Sequence, residues 1–232
     1  MSAPNPVFVA LDTPQLAQAL ELVLATRPFV GGLKIGLEFI TANGPDGIRR
    51  IAELGLPIFA DVKFHDIPNT VAGASHALAA LGVTYFNVHV SGGPAMMRAA
   101  REAADRAETR PKVLGVTVLT SLGDDDLAAV GQHRPAGEQV VRLARLAQSC
   151  GLDGVVCSPE EIASVRAACG PDFLIVTPGV RPRGADLGDQ RRVCTPAEAK
   201  ASGANILVIG RPITAAPDAG AAARAIAAEI GY

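Results

Sequence analysis

The chain has 232 residues, 49% of them hydrophobic and 19% charged, enough to bury a substantial core. A formal net charge of -2 and a pI near 6.1 leave no electrostatic footprint for nucleic acid or an anionic membrane, so small molecules are the expected partners. No apolar stretch approaches the ~20 residues that span a bilayer, and residues 1–6 carry neither the basic start nor the apolar block of a signal peptide, so a cytoplasmic protein is expected.

In chain order, short β-type runs fall at 7–11, 33–36, 57–62, 85–89, 113–119, 154–157, 173–177 and 206–209. Alanine-rich segments with helical periodicity lie between them at 14–25, 46–54, 71–81, 94–107, 137–149, 159–168 and 196–202, and 219–230 closes the chain. Regular βα alternation predicts a parallel sheet. Eight strands in close to the usual ~250 residues predict an α/β fold of the (β/α)8 TIM-barrel type rather than a doubly wound open sheet. No linker or low-complexity tract divides the chain, so residues 1–232 are expected to form a single domain, with 179–189 long and polar enough for a mobile loop. Cys150, Cys157, Cys169 and Cys194 fall in no CxxC or Cys/His ligand spacing and read as reduced structural thiols, with no zinc site.

A barrel places its active site at the carboxyl ends of the strands, and the polar residues follow that rule. Asp12 ends the first run, Lys34 lies on the second, Asp61 and Lys63 end the third, and His89 ends the fourth. Thr120 and Ser121 follow the fifth, while Arg181 and Arg211 follow the seventh and eighth. The segment 59–70 is the densest: Asp61 and Lys63 stand at i and i+2, on one face of a strand, and Asp66 follows where the chain turns into a helix beginning near Pro68. Only Lys34, Lys63, Lys112 and Lys200 are lysines among 21 basic residues, the rest being arginine. Two of those four therefore occupy strand positions where a compact, deprotonatable ammonium has chemical use.

Carboxylates within ~4–6 Å hold lysines protonated. Lys63 is then a poor Schiff-base nucleophile and a ready proton donor, the alternative being a salt-bridge network that closes the barrel mouth. Taken alone, the Thr120-Ser121 pair also reads as a helix cap, Asp12 as a turn residue, and Gly210-Arg211 as a structural turn. His65 and His89 have no obvious acid-base partner in the sequence, which favours packing or hydrogen bonding, and His76 and His133 read as surface residues.

The string Asp61-x-Lys63-x-x-Asp66-Ile67-Pro68-x-Thr70 resembles the signature of the orotidine 5'-phosphate decarboxylase family. Five further blocks resemble it in order: Val9-Ala10-Leu11-Asp12, Gly32-Leu33-Lys34-Ile35-Gly36, Leu119-Thr120-Ser121-Leu122, Thr177-Pro178-Gly179-Val180-Arg181-Pro182 and Gly210-Arg211-Pro212-Ile213-Thr214. The resemblance implies a (β/α)8 homodimer with shared active sites. It would convert orotidine 5'-monophosphate to uridine 5'-monophosphate and carbon dioxide in de novo pyrimidine biosynthesis, with no metal and no organic cofactor. By resemblance, Lys63 is the proton donor to C6 within an array of Lys34, Asp61, Lys63 and Asp66, and Asp66, Ile67 and Thr70 come from the neighbouring subunit. Gln190, Gly210 and Arg211, with Arg181 nearby, would take the phosphate, Thr120 and Ser121 the pyrimidine, and Asp12 the ribose hydroxyls. Arg191-Arg192-Val193-Cys194 departs from the family pattern, in which lysine and methionine are commoner after Gln190.

Two rival readings differ in kind. A sugar-phosphate decarboxylase or aldolase of the same superfamily, such as 3-keto-L-gulonate 6-phosphate decarboxylase, shares the Asp-x-Lys-x-x-Asp core but needs magnesium; the Ile67-Pro68-Asn69-Thr70 continuation and Thr120-Ser121 argue against it. A non-catalytic phosphate-binding barrel would be expected to lack a member of the array, and all four are present.

Overall fold

The computed structural model of the chain describes residues 4–182 and 194–232. Eight parallel strands close into the expected barrel, each paired with the next in sequence and the last with the first. They are β1 (Val7–Leu11), β2 (Gly32–Ile35), β3 (Ile58–Phe64), β4 (Tyr85–His89), β5 (Lys112–Val116), β6 (Gly154–Val156), β7 (Leu174–Thr177) and β8 (Ile206–Ile209). Closure follows from residues that satisfy both faces of a strand, because side chains alternate with period two between the barrel interior and the helical shell. On β1, Val7, Val9 and Leu11 pack outward with the helices, while Phe8 and Ala10 point inward with Phe59, Leu114, Val176, Ile206 and Val208. The inner set fills the barrel with bulky apolar groups, so the lower interior is a packed core and not a channel. Gly32 stands beside Phe8 in register, and any Cβ there would run into the Phe8 ring.

Around the barrel run α1 (Leu16–Thr26), α2 (Leu37–Ala52), α3 (Pro68–Ala79), α4 (Pro94–Asp105), α5 (Asp124–Ala129), α6 (Ala136–Ser149), α7 (Ile162–Cys169), α8 (Pro196–Ala201), α9 (Arg211–Thr214) and α10 (Ala219–Glu229). Helix α3 begins at Pro68, whose fixed φ suits the first helical position, and the preceding Ile67 is extended as a residue before proline should be. Among the described residues, no helix is long and apolar enough to cross a membrane.

The structure differs from the periodicity in three places. Helix α2 starts nine residues before the expected 46–54, because Gly44 at φ 59 followed by Pro45 breaks it into two pieces and only the second repeats clearly. Helix α9, of four residues, is too short for a periodic signal, and α5 opens on Asp124, Asp125 and Asp126, which carry no apolar repeat but are the local mark of a start, with the Asp126 carboxylate accepting the Gly123 N–H at 2.9 Å. Strand β3 runs on to Phe64, which keeps Asp61 and Lys63 inside the sheet, while the fifth run stops at Val116.

A Cβ on Gly154 would press on the backbone carbonyl of Leu174 in the neighbouring strand, and a strand carbonyl has no free direction in which to yield. Gly154→Ala should lower the unfolding free energy by roughly 1–3 kcal/mol in urea denaturation. Unchanged stability would mean that β6 and β7 part there without loss.

Candidate active site

The inward alternation that packs the lower barrel brings charge to its upper end. Lys34 stands two residues beyond Gly32, Asp61 two beyond Phe59, and Asn87 two beyond Tyr85, each on the interior face of its strand. Lys34 is almost wholly buried, and its ammonium donates to Asp12 Oδ1 at 2.5 Å, with the Asp12 carboxylate 55% exposed at the rim. Gly36 leaves room for this pair, since a Cβ there would lie 3.0 Å from Lys34 Nζ and 3.3 Å from Asp12 Oδ1.

Lys63 is held differently. The pairing of β3 with β4 shifts between Ala60↔Phe86 and Phe64↔Val88, so the β3 segment that carries Asp61 and Lys63 bulges away from the regular ladder. Lys63 takes up the bulge with φ 51, a left-handed conformation that costs a side-chain-bearing residue of order 1–3 kcal/mol. Its N–H donates to Asn87 Oδ1 at 2.7 Å, Asn87 Nδ2 donates to Asp61 Oδ1 at 2.7 Å, and the Lys63 ammonium reaches the same Asp61 oxygen at 2.6 Å. The expected Asp61–Lys63 juxtaposition is therefore present, but it is made by a bulge and not by plain i, i+2 alternation. Asn87 was not among the residues singled out from the sequence. Its local signal is a polar side chain at an inward position of β4, between Tyr85 and His89.

Two adjoining hollows open on these groups. One, of about 200 Å³, is lined by Lys34, Asp61 and Lys63 on one side and by Val116, Val118, Val156, Cys157 and Pro178 on others, with Thr120 at its edge. The second, of about 390 Å³, shares Lys34, Asp61, Pro178 and Val208 and continues to Asp12, Arg181, Gly210 and Arg211. Together they form one trough with a mainly apolar slot at the Lys63 end and two guanidinium groups at the other. A planar ring suits the first and a phosphate the second.

Other expected residues lie apart. Asp66, Ile67 and Thr70 are exposed, the Asp66 carboxylate accepts the N–H of Ile67 at 2.6 Å, and among the described residues neither Asp66–Lys63 nor Asp61–Lys34 forms an ion pair within this chain. Ser121 is exposed and lines neither hollow. Gln190 and the Arg191-Arg192-Val193 departure lie outside the described residues, as does most of the 179–189 loop.

The His65 and His89 rings lie against each other at a tilt of 32°, with centroids 5.4 Å apart. His89 is held below the ordinary histidine value of 6.5, first by burial and then by His65 and Lys63, against an opposing pull from Asp61. All four cysteines are free thiols, and Cys194 is pushed up to about 11, chiefly by burial and then by Glu198, which leaves it unreactive. Among the described residues, no group of three or more His, Cys, Asp or Glu side chains is placed to hold a metal ion. The remaining lysines, Lys112 and Lys200, line a separate hollow of about 430 Å³ at the amino ends of the strands, with Tyr85 and Tyr232. There the Lys200 ammonium donates to the Ile230 carbonyl at 2.6 Å and lies 4.6 Å from the centre of the Tyr232 ring.

The chain is similar to known proteins along nearly its whole length. A protein of Moorella thermoacetica named orotidine 5'-phosphate decarboxylase is 58% identical over 99% of this chain and 94% of its own length. Another of that name, from Paramagnetospirillum magneticum, is 52% identical over 98% of this chain and 99% of its own. The crystal structure of orotidine 5'-phosphate decarboxylase from Lactobacillus acidophilus superposes with a TM-score of 0.87 at 40% identity, covering 98% of this chain and 100% of that one. With residues 5–226 matching the profile of the orotidine 5'-phosphate decarboxylase / HUMPS family as well, this chain belongs to that family.

Proposed function

We propose that this protein decarboxylates orotidine 5'-monophosphate to uridine 5'-monophosphate and carbon dioxide in pyrimidine biosynthesis, residues 1–232 acting as one catalytic domain in the cytoplasm. The observation that carries this reading is the Lys63 ammonium, held at 2.6 Å by Asp61 beside an apolar slot that runs into a trough ending in Arg181 and Arg211. In the reaction the C6–carboxylate bond breaks and its electron pair stays on C6, where no adjacent carbonyl can accept it. Lys63 stabilises that charge and then transfers its proton to C6, and solvent returns a proton to the amine. A substrate carboxylate 4 Å from Asp61 would be repelled by about 4 kcal/mol at an effective dielectric of 20, and the repulsion ends as carbon dioxide leaves.

The rest of the trough divides the work. Lys34 and Asp12 face the ribose, Thr120 the pyrimidine edge, and Gly210, Arg211 and Arg181 the phosphate, while Ser121, exposed outside both hollows, and Gln190, outside the described residues, are assigned to pyrimidine and phosphate by the family resemblance alone. Phosphate binding is remote from C6 but can contribute to the chemical step by holding the ring against Lys63. No metal or organic cofactor enters this scheme, which separates it from the magnesium-dependent sugar-phosphate reading.

The protein acts in this scheme as a homodimer in which Asp66, Ile67 and Thr70 of each chain complete the site of the other. The exposure of all six residues 65–70, with Ile67 66% exposed, supports it, because a large apolar side chain between a carboxylate and a hydroxyl is suited to being covered.

Mixing orotidine 5'-monophosphate with purified protein should bleach the orotate ultraviolet absorbance with or without a metal chelator, and Lys63→Ala should slow this at least about 10³-fold while still binding the product nucleotide. No bleaching by the unaltered protein would sink the proposed activity. Arg211→Ala should lower kcat/KM about 10- to 100-fold, mostly through KM, as loss of a charged hydrogen bond to a phosphate predicts; an unchanged rate at low substrate would move the phosphate elsewhere. Inactive Lys63→Ala mixed with inactive Asp66→Ala should regain activity on subunit exchange, since each mixed dimer holds one intact site, and no recovery despite exchange would mean self-contained sites.

A further inference from the structure

We infer that Asn87 is a positioning residue that holds Lys63 and Asp61 in their working geometry through the two ends of one buried amide. This rests on the reading of Lys63 as the proton donor. Asn87 has no solvent exposure and is fixed in the middle of β4, where it pairs with Leu114 of β5. Across the other edge, the bulge in β3 removes the Lys63 N–H from the regular ladder, and the Asn87 carbonyl oxygen replaces the missing acceptor at 2.7 Å. The amide nitrogen donates to Asp61 Oδ1 at 2.7 Å, the oxygen that also holds the Lys63 ammonium.

The orientation of this amide is dictated by its neighbours. Turned over, it would set NH2 against an N–H and its oxygen against a carboxylate, so only one arrangement satisfies both contacts. One planar group thus governs the left-handed backbone of Lys63 and the direction of the carboxylate that aims its side chain. The position requires an acceptor at one end and a donor at the other, at amide spacing. Leucine supplies neither, serine cannot span both, and aspartate supplies two acceptors unless protonated. A buried group has no water to take over either contact. The titratable groups around it are Asp61 and Lys63 on β3, His89 on β4 with the His65 ring tilted against it, and Lys34 on β2 across the same hollow.

The test uses the full-length chain with Asn87→Leu and Asn87→Asp, each measured for kcat and KM across about pH 5 to 8, for Tm, and by crystal structure. Asn87→Leu should lower kcat about 10²-fold, the loss expected from a misplacement of about 1 Å, at nearly unchanged KM and to the same degree at every pH. In Asn87→Asp the two facing carboxyls share a proton at lower pH and so restore the donor, and the kcat ratio to the unaltered protein should rise as pH falls. The crystal structure of Asn87→Leu should show Lys63 out of its left-handed conformation or its ammonium parted from Asp61.

Wild-type kcat in either variant, or equal pH-independent losses in both accompanied by equal falls in Tm, would overturn the assignment, as would a Leu variant that keeps the Lys63 backbone and the Asp61 contact. Should Asn87→Leu fail to fold, Asn87→Ser, which loses the span but remains polar, carries the kinetic and structural arms. If the unaltered protein leaves orotidine 5'-monophosphate untouched, the proposed activity fails by that result alone, while the crystal structures still decide whether Asn87 positions the pair.

Discussion

An ammonium drawn from water into an apolar interior survives only when an anion is set against it, and two such groups at the mouth of this barrel, the buried Lys34 and the partly buried Lys63, organise what lies around them. Lys34 leans on Asp12 and Lys63 on Asp61, so each cation reaches the trough already paired. The lower barrel makes this possible by being inert. Phe8, Phe59, Leu114 and Ile206 fill it without polar atoms, leaving the charged layer only its own members and the trough to interact with. Replacing such pairs with packed hydrophobic residues is often neutral or stabilising, so their presence points to chemistry more than to folding.

The Lys63 pair also shows how strain is retained at a site. A side-chain-bearing residue at φ 51 inside a strand is unfavourable by itself, and it persists here because surrounding contacts leave no alternative. Asn87 satisfies the displaced N–H, Asp61 takes the ammonium, and the flanking β3 residues Ala60 and Phe64 are tied back to Phe86 and Val88. A regular strand would set Lys63 on the same face as Asp61, one strand repeat further towards the carboxyl end. The bulge lets the two meet end to end at 2.6 Å beside the open slot.

The single chain presents one half of the expected constellation in place and the other half facing outward. The groups on β1, β2 and β3 converge, whereas residues 65–70, beyond the end of β3, stand exposed. Strand geometry accounts for both. Residues inside the barrel have their directions set by the ladder, while those past the last paired residue are released to the surface.

Much of this was legible in the sequence, because it depends on short-range order. Alternating β and α segments set the barrel, and the rule that polar residues gather at strand ends picked out Asp12, Lys34, Asp61, Lys63, Thr120, Arg181 and Arg211, which line the trough, together with His89 and Ser121, which do not. The break at Gly44 and Pro45 escaped, as did α5, which opens on three aspartates, and α9, whose four residues leave no period to detect. Lys34 was expected in an array with Asp61 and is found against Asp12, because β1 and β2 are neighbours in register and the two residues reach the same rim. The contacts of Asn87 and the left-handed turn of Lys63 could not be read locally. Both arise from the shift in pairing between β3 and β4, an event between strands whose members lie 24 residues apart in sequence. Local pattern therefore determined which residues reach the open end of the barrel, and only the closed sheet, through cross-strand register, decided which of them touch.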